Sequence, residues 1–187
     1  MAIPAAFQVM KLFRSELSPH QTALAMIGVK PGASVVVIGA GNPALVAELA
    51  RVTGLNGRTL VVDSEHARDA VLAAAAKAGA LVDFLPMSTT TVPVDDDAAD
   101  VVVVQHGFGV RALAEQAIVS DAVRLVRTGG RMVAIEGERR RARLFGSTPP
   151  PRVSGDAIVS RFSAAGLIAA RVLAESEGLV YVEARKK

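Results

Sequence analysis

Apolar residues in this chain of 187 residues follow two alternating rhythms. Unbroken runs such as Val35–Ile38, Leu60–Val62 and Val101–Val104 lack the polar alternation of a half-exposed strand, so they read as strands buried on both faces. Between the first two, Leu45, Val46, Leu49 and Val52 recur at helical spacing over Ala44–Val52, and Gly54 and Gly57 close that helix. The same reading extends along the whole sequence. It predicts helices over Pro4–Arg14 and Pro19–Ile27, the second capped by Ser18 with proline in its first turn. The first strand leaves Ser34 and reaches Gly39, and the second runs Thr59–Asp63. Ser64 caps an alanine-rich helix over Glu65–Lys77 that Gly79 ends. Further strands fall at Leu81–Leu85, Asp100–Gln105 and Arg131–Glu136, with a helix over Arg111–Arg127 before the last. A proline- and arginine-rich loop runs to Pro151. A helix then starts at Ser154 or Gly155 and stops at Gly166, and Leu167–Ala174 with Leu179–Ala184 forms a terminal hairpin.

Strands alternating with helices predict a three-layer α/β/α sandwich around a seven-stranded, mostly parallel, Rossmann-like sheet with an antiparallel C-terminal hairpin strand. The length suits one domain over residues 1–187, with N-terminal helices over 1–28 and the core over 29–187. Apolar residues make up 51% of the chain while aromatics make up only 4%, the balance of Ala, Val and Leu helices on a parallel sheet. No apolar run is long enough to cross a bilayer. The first residues show no basic start leading into an apolar stretch, so a cytoplasmic location is expected. With no cysteine, disulfides, thiolate metal sites and thiol catalysis are excluded. The net charge of +3 is small, and one tyrosine, no tryptophan and six scattered phenylalanines make no stacking face for nucleic acid.

The chemistry concentrates where the first strand ends. Gly39-Ala-Gly41 lets backbone approach a ligand with no Cβ in the way, and Pro43 suits the first turn of the next helix. Asp63 closes the second strand about twenty residues on, the spacing at which a carboxylate meets a ribose diol. Strand, glycine turn, helix, strand and acid make half of a site for a ribose-containing cofactor. Gly39-x-Gly41-x-x-Ala44 with Asp63 also fits the dinucleotide fingerprint, which keeps a small NAD(P)-binding protein as an alternative.

The second half of the chain separates the two readings. Asp100-Val-Val-Val-Val-Gln-His106, Arg124-Leu-Val-Arg-Thr-Gly-Gly-Arg-Met-Val133 and the closing Val180-Tyr-Val-Glu-Ala-Arg-Lys186 resemble the class I S-adenosylmethionine-dependent methyltransferases, of the small UbiE-like type. The resemblance runs from Pro19 to the C-terminus. It implies S-adenosylmethionine as cofactor and a small or medium-sized methyl acceptor as substrate. By the same resemblance Gly39, Ala40, Gly41 and Asn42 pass beneath the methionine and ribose portion. Asp63 and its neighbour Ser64 meet the ribose, Ser88 and Thr89 lie beside the adenine, and Gln105 and His106 flank the reacting methyl group. Three positions depart from the family pattern. Val37 stands where an acid is usual, Pro43 replaces a third glycine, and Ser88 replaces the Asp that meets the adenine amino group. These departures keep open a methyltransferase-like binding or assembly subunit without turnover.

Other residues have plainer readings. His106 is the one histidine expected at the carboxyl edge of the sheet, where open α/β folds place ligands, and an imidazole there can take a proton from a hydroxyl or amine acceptor. His20 lies within reach of a cofactor carboxylate from the helix before the first strand, and His66 faces solvent. Asp100 satisfies local backbone at a strand start and has no chemical role. Arg139, Arg140, Arg141 and Arg143 follow the fifth strand. They read as a solvated loop, with attraction of an anionic acceptor as the functional alternative. No His, Asp and Glu set has metal-ligand spacing. A homodimer is compatible with the sequence, and the acceptor has no readable code.

Overall fold

The computed structural model of the chain describes residues 19–87, 92, 94–106, 112–137, 153–176 and 178–187. Its elements are α1 (Pro19–Ile27), β1 (Ser34–Ile38), α2 (Pro43–Thr53), β2 (Arg58–Asp63), a 3₁₀ turn (Glu65–Ala67), α3 (Arg68–Ala78), β3 (Asp83–Pro86), β4 (Ala99–Gln105), α4 (Ala112–Leu125), β5 (Val126–Gly137), α5 (Gly155–Ala164), β6 (Ile168–Ser176) and β7 (Leu179–Arg185). The expected helices at Pro19 and Gly155 and the terminal hairpin are present. The expected helix Pro4–Arg14, its neighbour's cap Ser18, the site residues Ser88 and Thr89, and the Arg139–Arg143 cluster lie outside the described residues.

The seven strands form one sheet in the order β3-β2-β1-β4-β5-β7-β6. β1 pairs in parallel with β2 and β4, and β4 with β5. β7 runs antiparallel between β5 and β6. The all-valine stretch of β4 lies mid-sheet with Val101–Val104 buried, because only a strand covered on both faces can carry side chains that are apolar on both. One face packs Val102, Val104, Met132 and Val182 against Val119 and Leu125 of α4 and Ile158 and Phe162 of α5. The other packs Val35, Val37, Val103 and Tyr181 against Ile27 of α1, Leu45 and Leu49 of α2 and Val71 of α3. Each fully buried side chain of this size removes about 1.5–3 kcal/mol worth of apolar surface from water.

Three local readings are corrected. The helix expected from Glu65 begins at Arg68, after a 3₁₀ turn, and the Ser64 side chain makes no capping bond; the Ser64 carbonyl instead accepts the Ala67 N–H. β3 begins at Asp83 rather than Leu81. Thr128-Gly-Gly130 lies inside β5, which starts at Val126: Ala99 pairs with Val126 and Val101 with Arg131, so residues 127–130 bulge opposite Asp100.

The amino-terminal edge of the sheet is sewn together by charge. Asp100 accepts the Ser34 N–H at 2.7 Å and the Arg127 Nε–H at 2.6 Å. These bonds, the Ser34 amide foremost, hold its carboxyl below the usual carboxylate range. Arg124 donates to the Val92 and Val94 carbonyls and to Asp96 and Asp121, with Asp96 the main cause of its raised pKa. Lys186 reaches Asp97 at 2.8 Å. Asp100 thus serves backbone, but that of β1 across the sheet and not the local backbone expected of it, and it binds the Arg127 side chain as well.

Candidate functional site

The carboxyl ends of β1, β2 and β4 meet at the glycine turn. Gly39 has φ of 83°, and a Cβ there would stand 2.6 Å from the Gln105 carbonyl oxygen, so β1 and β4 approach too closely for any other residue. A Cβ on Gly41 would collide with the His106 ring, 2.3 Å from Cδ2. The imidazole therefore lies over the turn itself. Asp63 completes the cluster: its Oδ2 accepts the Ala40 N–H at 2.6 Å and its Oδ1 accepts the Ser64 N–H at 2.5 Å. A carboxylate carries about four lone-pair sites, so two backbone bonds orient it and leave it able to accept hydroxyls.

His106 is exposed and has φ of 54°, left-handed backbone that a non-glycine residue adopts at a cost of about 1–2 kcal/mol. Its N–H donates to the Ile135 carbonyl at 2.8 Å, fixing the end of β4 against β5. Gln105, one residue earlier, is 4% exposed, and its amide Nε2 is buried without a hydrogen-bond partner in the structure. A buried donor left unpaired costs about 1–3 kcal/mol, which makes Gln105 a group waiting for an acceptor. Asn42 is committed differently: its Oδ1 accepts the Leu45 N–H at 3.2 Å as the cap of α2, with Pro43 at the first helical position. Ser64 is exposed beside Asp63. His20 is half-buried in the first turn of α1, and His66 is exposed, as expected.

Two features had not been read from the residues. Arg131 of β5 donates to the Ile27 and Met26 carbonyls at 2.8 and 2.9 Å, satisfying the carboxyl end of α1. It also pairs with the buried Glu183 of β7 at 2.5 Å, which Arg171 of β6 engages as well. The signal was present: a charge in each of two strands whose flanking residues are apolar calls for a partner across the sheet. The second is a cavity of about 570 Å³ at the carboxyl end of β5, lined by residues including Glu136, Ser154, Gly155, Glu175 and Val180. No group of three or more His, Cys, Asp or Glu among the described residues could hold a metal ion.

A sheet of order 3-2-1-4-5-7-6 with a glycine turn after β1 and an acid after β2 defines the class I methyltransferase fold. The chain belongs to the ubiE/COQ5 methyltransferase family, whose model matches residues 6–148. A SAM-dependent methyltransferase from Aquifex aeolicus is similar over 97% of this chain and 98% of its own, at 20% identity and TM-score 0.74. A second similar structure is a complex of the Haloferax volcanii Trm112 methyltransferase activator with a methyltransferase (19% identity, 96% and 94% covered, TM-score 0.66). A third, PigF with SAH, covers all of this chain and 63% of its own, at 12% identity and TM-score 0.60. No curated protein matches the chain in sequence. The family sets aside the NAD(P) reading of the glycine fingerprint.

The residues present fit the cofactor this family implies. The turn offers backbone without side chains at Gly39 and Gly41, Asp63 is oriented with accepting capacity to spare, and Gln105 brings an unsatisfied donor.

Proposed function

We propose that the protein is an S-adenosylmethionine-dependent methyltransferase acting on a small or medium-sized acceptor. The observation that supports this best is the Asp63 carboxylate, held against the glycine turn by the Ala40 N–H at 2.6 Å. In this reading Asp63 accepts the two ribose hydroxyls while Gly39, Ala40, Gly41 and Asn42 run beneath the cofactor as backbone. Ser64, Ser88 and Thr89 border the nucleoside, and Gln105 donates its free amide hydrogen to an oxygen of the bound molecules. When bound, the cofactor supplies a methyl group already activated on a sulfonium.

Little further chemistry is asked of the chain. It has to hold the acceptor in line and remove its proton. His106 is the base: an imidazole nitrogen takes the proton of an acceptor O–H or N–H as the lone pair is committed to the new bond to carbon. Its position over Gly41 places the exposed ring at the turn. Val37, Pro43 and Ser88 remove polar contacts or stiffen the turn, so affinity is expected in the micromolar range rather than below it.

Calorimetric titration with S-adenosylmethionine and S-adenosylhomocysteine tests the reading. Micromolar binding that His106→Gln keeps and Asp63→Ala weakens about 100-fold is expected, the loss of roughly two hydrogen bonds to a charged group. Folded protein that binds neither ligand would leave the assembly-subunit reading in its place.

A further inference from the structure

The register of the sheet ties two residues of the site together. Val61, Val37 and Val103 pair across β2, β1 and β4 and face the side covered by α1, α2 and α3. Side chains alternate along a strand, so Asp63, Gly39 and Gln105, two residues further on in each case, belong to that same side. They stand in one row at the carboxyl edge, which Ile135 of β5 and Tyr181 of β7 continue. The close approach at Gly39 agrees with this, since a Cβ there would stand 2.6 Å from the Gln105 carbonyl oxygen. Two strand spacings, about 10 Å, separate the backbones of Asp63 and Gln105. Gly39 puts no side chain between them.

The two ends of that span have opposite hydrogen-bonding character. Asp63 accepts, and two backbone amides already hold it. Gln105 donates: its Nε2 is buried with no partner, in a residue only 4% exposed. Its neighbours in the row and in the strand, Ile135 and Val103, are buried and apolar. In such surroundings a donor gains most from an oxygen that carries charge, because little solvent competes for either. The last torsion of a glutamine is broad, so the amide turns toward a ligand at the strand end at small cost. His106 follows directly, its N–H bound to the Ile135 carbonyl. Free donor and proposed base are therefore consecutive residues.

Resting on the methyltransferase reading, with Asp63 on the ribose and His106 as base, we propose that Gln105 selects the acceptor by donating to an oxygen that loses its proton. The acceptor is then an oxygen acid of the phenol or enol kind and not an amine. His106 takes the proton of its O–H; the electron pair of the broken bond stays on the oxygen, and the Gln105 N–H bonds that developing charge. A carboxylic acid arrives ionised and gives the base nothing to remove. A phenol, with a pKa of about 10, still holds its proton at neutral pH. An amine N–H placed there would set donor against donor and leave Nε2 unpaired, the kind of mismatch that rejects a substrate most strongly. The cofactor carboxylate is the competing oxygen, and adjacency to His106 favours that of the acceptor.

Two probes of one shape test this: 4-nitrophenol and 4-nitroaniline, each titrated into the full chain with and without saturating S-adenosylhomocysteine. The first readout is the Gln105 side-chain amide in ¹⁵N–¹H spectra of the wild type, which needs no variant to fold. S-adenosylhomocysteine alone is expected to cause no downfield shift there, and 4-nitrophenol to move one of the two protons downfield. The second readout is absorbance, which distinguishes bound nitrophenolate from nitrophenol. The phenol is expected to bind about tenfold tighter than the aniline. Gln105→Leu, judged once its circular dichroism matches the wild type, is expected to remove that preference and to lower the ionised fraction of the bound phenol. Equal affinities, no binding of either probe, a preference for the aniline, or a phenol preference that Gln105→Leu retains would overturn the proposal. So would a downfield shift with S-adenosylhomocysteine alone, which assigns the donor to the cofactor carboxylate. The cofactor titration is read separately, so a failure of the methyltransferase reading shows there and not in the ranking of the probes.

Discussion

The two edges of the sheet use their polar residues in opposite ways. At the amino edge nearly every charge has a structural partner: Asp100 with Ser34 and Arg127, Arg124 with Asp96 and Asp121, Lys186 with Asp97. At the carboxyl edge Asp63 is oriented only by backbone, Gln105 keeps an unpaired buried amide, and His106 stands exposed on left-handed backbone. Groups that bond one another stabilise the fold and have nothing left for a ligand. Groups held in place and left unsatisfied carry a local cost that a ligand can offset. The contrast supports the proposed site at the carboxyl edge more than any single residue does.

Substitutions at the two edges should therefore separate stability from binding. The largest effect is expected from Arg131→Met, which leaves the buried Glu183 with only Arg171 and frees the Ile27 and Met26 carbonyls. A loss of about 2–4 kcal/mol in urea unfolding should follow, with faster amide exchange in α1. Asp63→Ala should behave inversely, weakening S-adenosylhomocysteine about 100-fold with a modest change in melting temperature. Asp100→Ala should lose about 1 kcal/mol of stability and keep cofactor affinity. Its pH dependence has a definite sign. The folded-state pKa of Asp100 is lowered, so its contribution is fully present above the unfolded value near 3.9 and disappears as pH falls through the folded one. The wild type and Asp100→Ala should differ at pH 7 and converge below about pH 4. The smallest effect is expected from His106→Gly. It relieves the left-handed backbone, so stability should stay level or rise by about 0–1 kcal/mol while turnover falls. A clear loss of stability there would mean that the backbone strain is not carried by His106.

Much of this was legible in the residues. Runs of valine without polar alternation announced the central strands, and Pro19, Pro43, Gly54 and Gly79 marked helix ends because their backbone preferences act locally. The glycine turn and Asp63 were legible for the same reason: one is a backbone requirement and the other ends an apolar run. What could not be read depended on contacts across the sheet. That Arg131 would cap α1 some hundred residues earlier depends on where that helix packs, and that Glu136 and Glu175 would flank one valine follows from the order β5-β7-β6; no local pattern contains either. Ser64 was misjudged because an N-cap residue type does not ensure a capping bond: the chain passes through a 3₁₀ turn before α3 and satisfies its first amide with the Ser64 carbonyl instead. The left-handed conformation of His106 had no sequence signal, since histidine has no intrinsic demand for it.

The difference between the edges is tested most directly by following backbone amides in a ¹⁵N–¹H titration with S-adenosylhomocysteine. Shifts concentrated at Ala40, Gly41, Ser64, Gln105 and His106, with Ser34, Asp100, Gly129 and Arg131 unmoved, are the predicted result. Shifts confined to the amino edge, or none at saturating ligand in folded protein, would contradict the account.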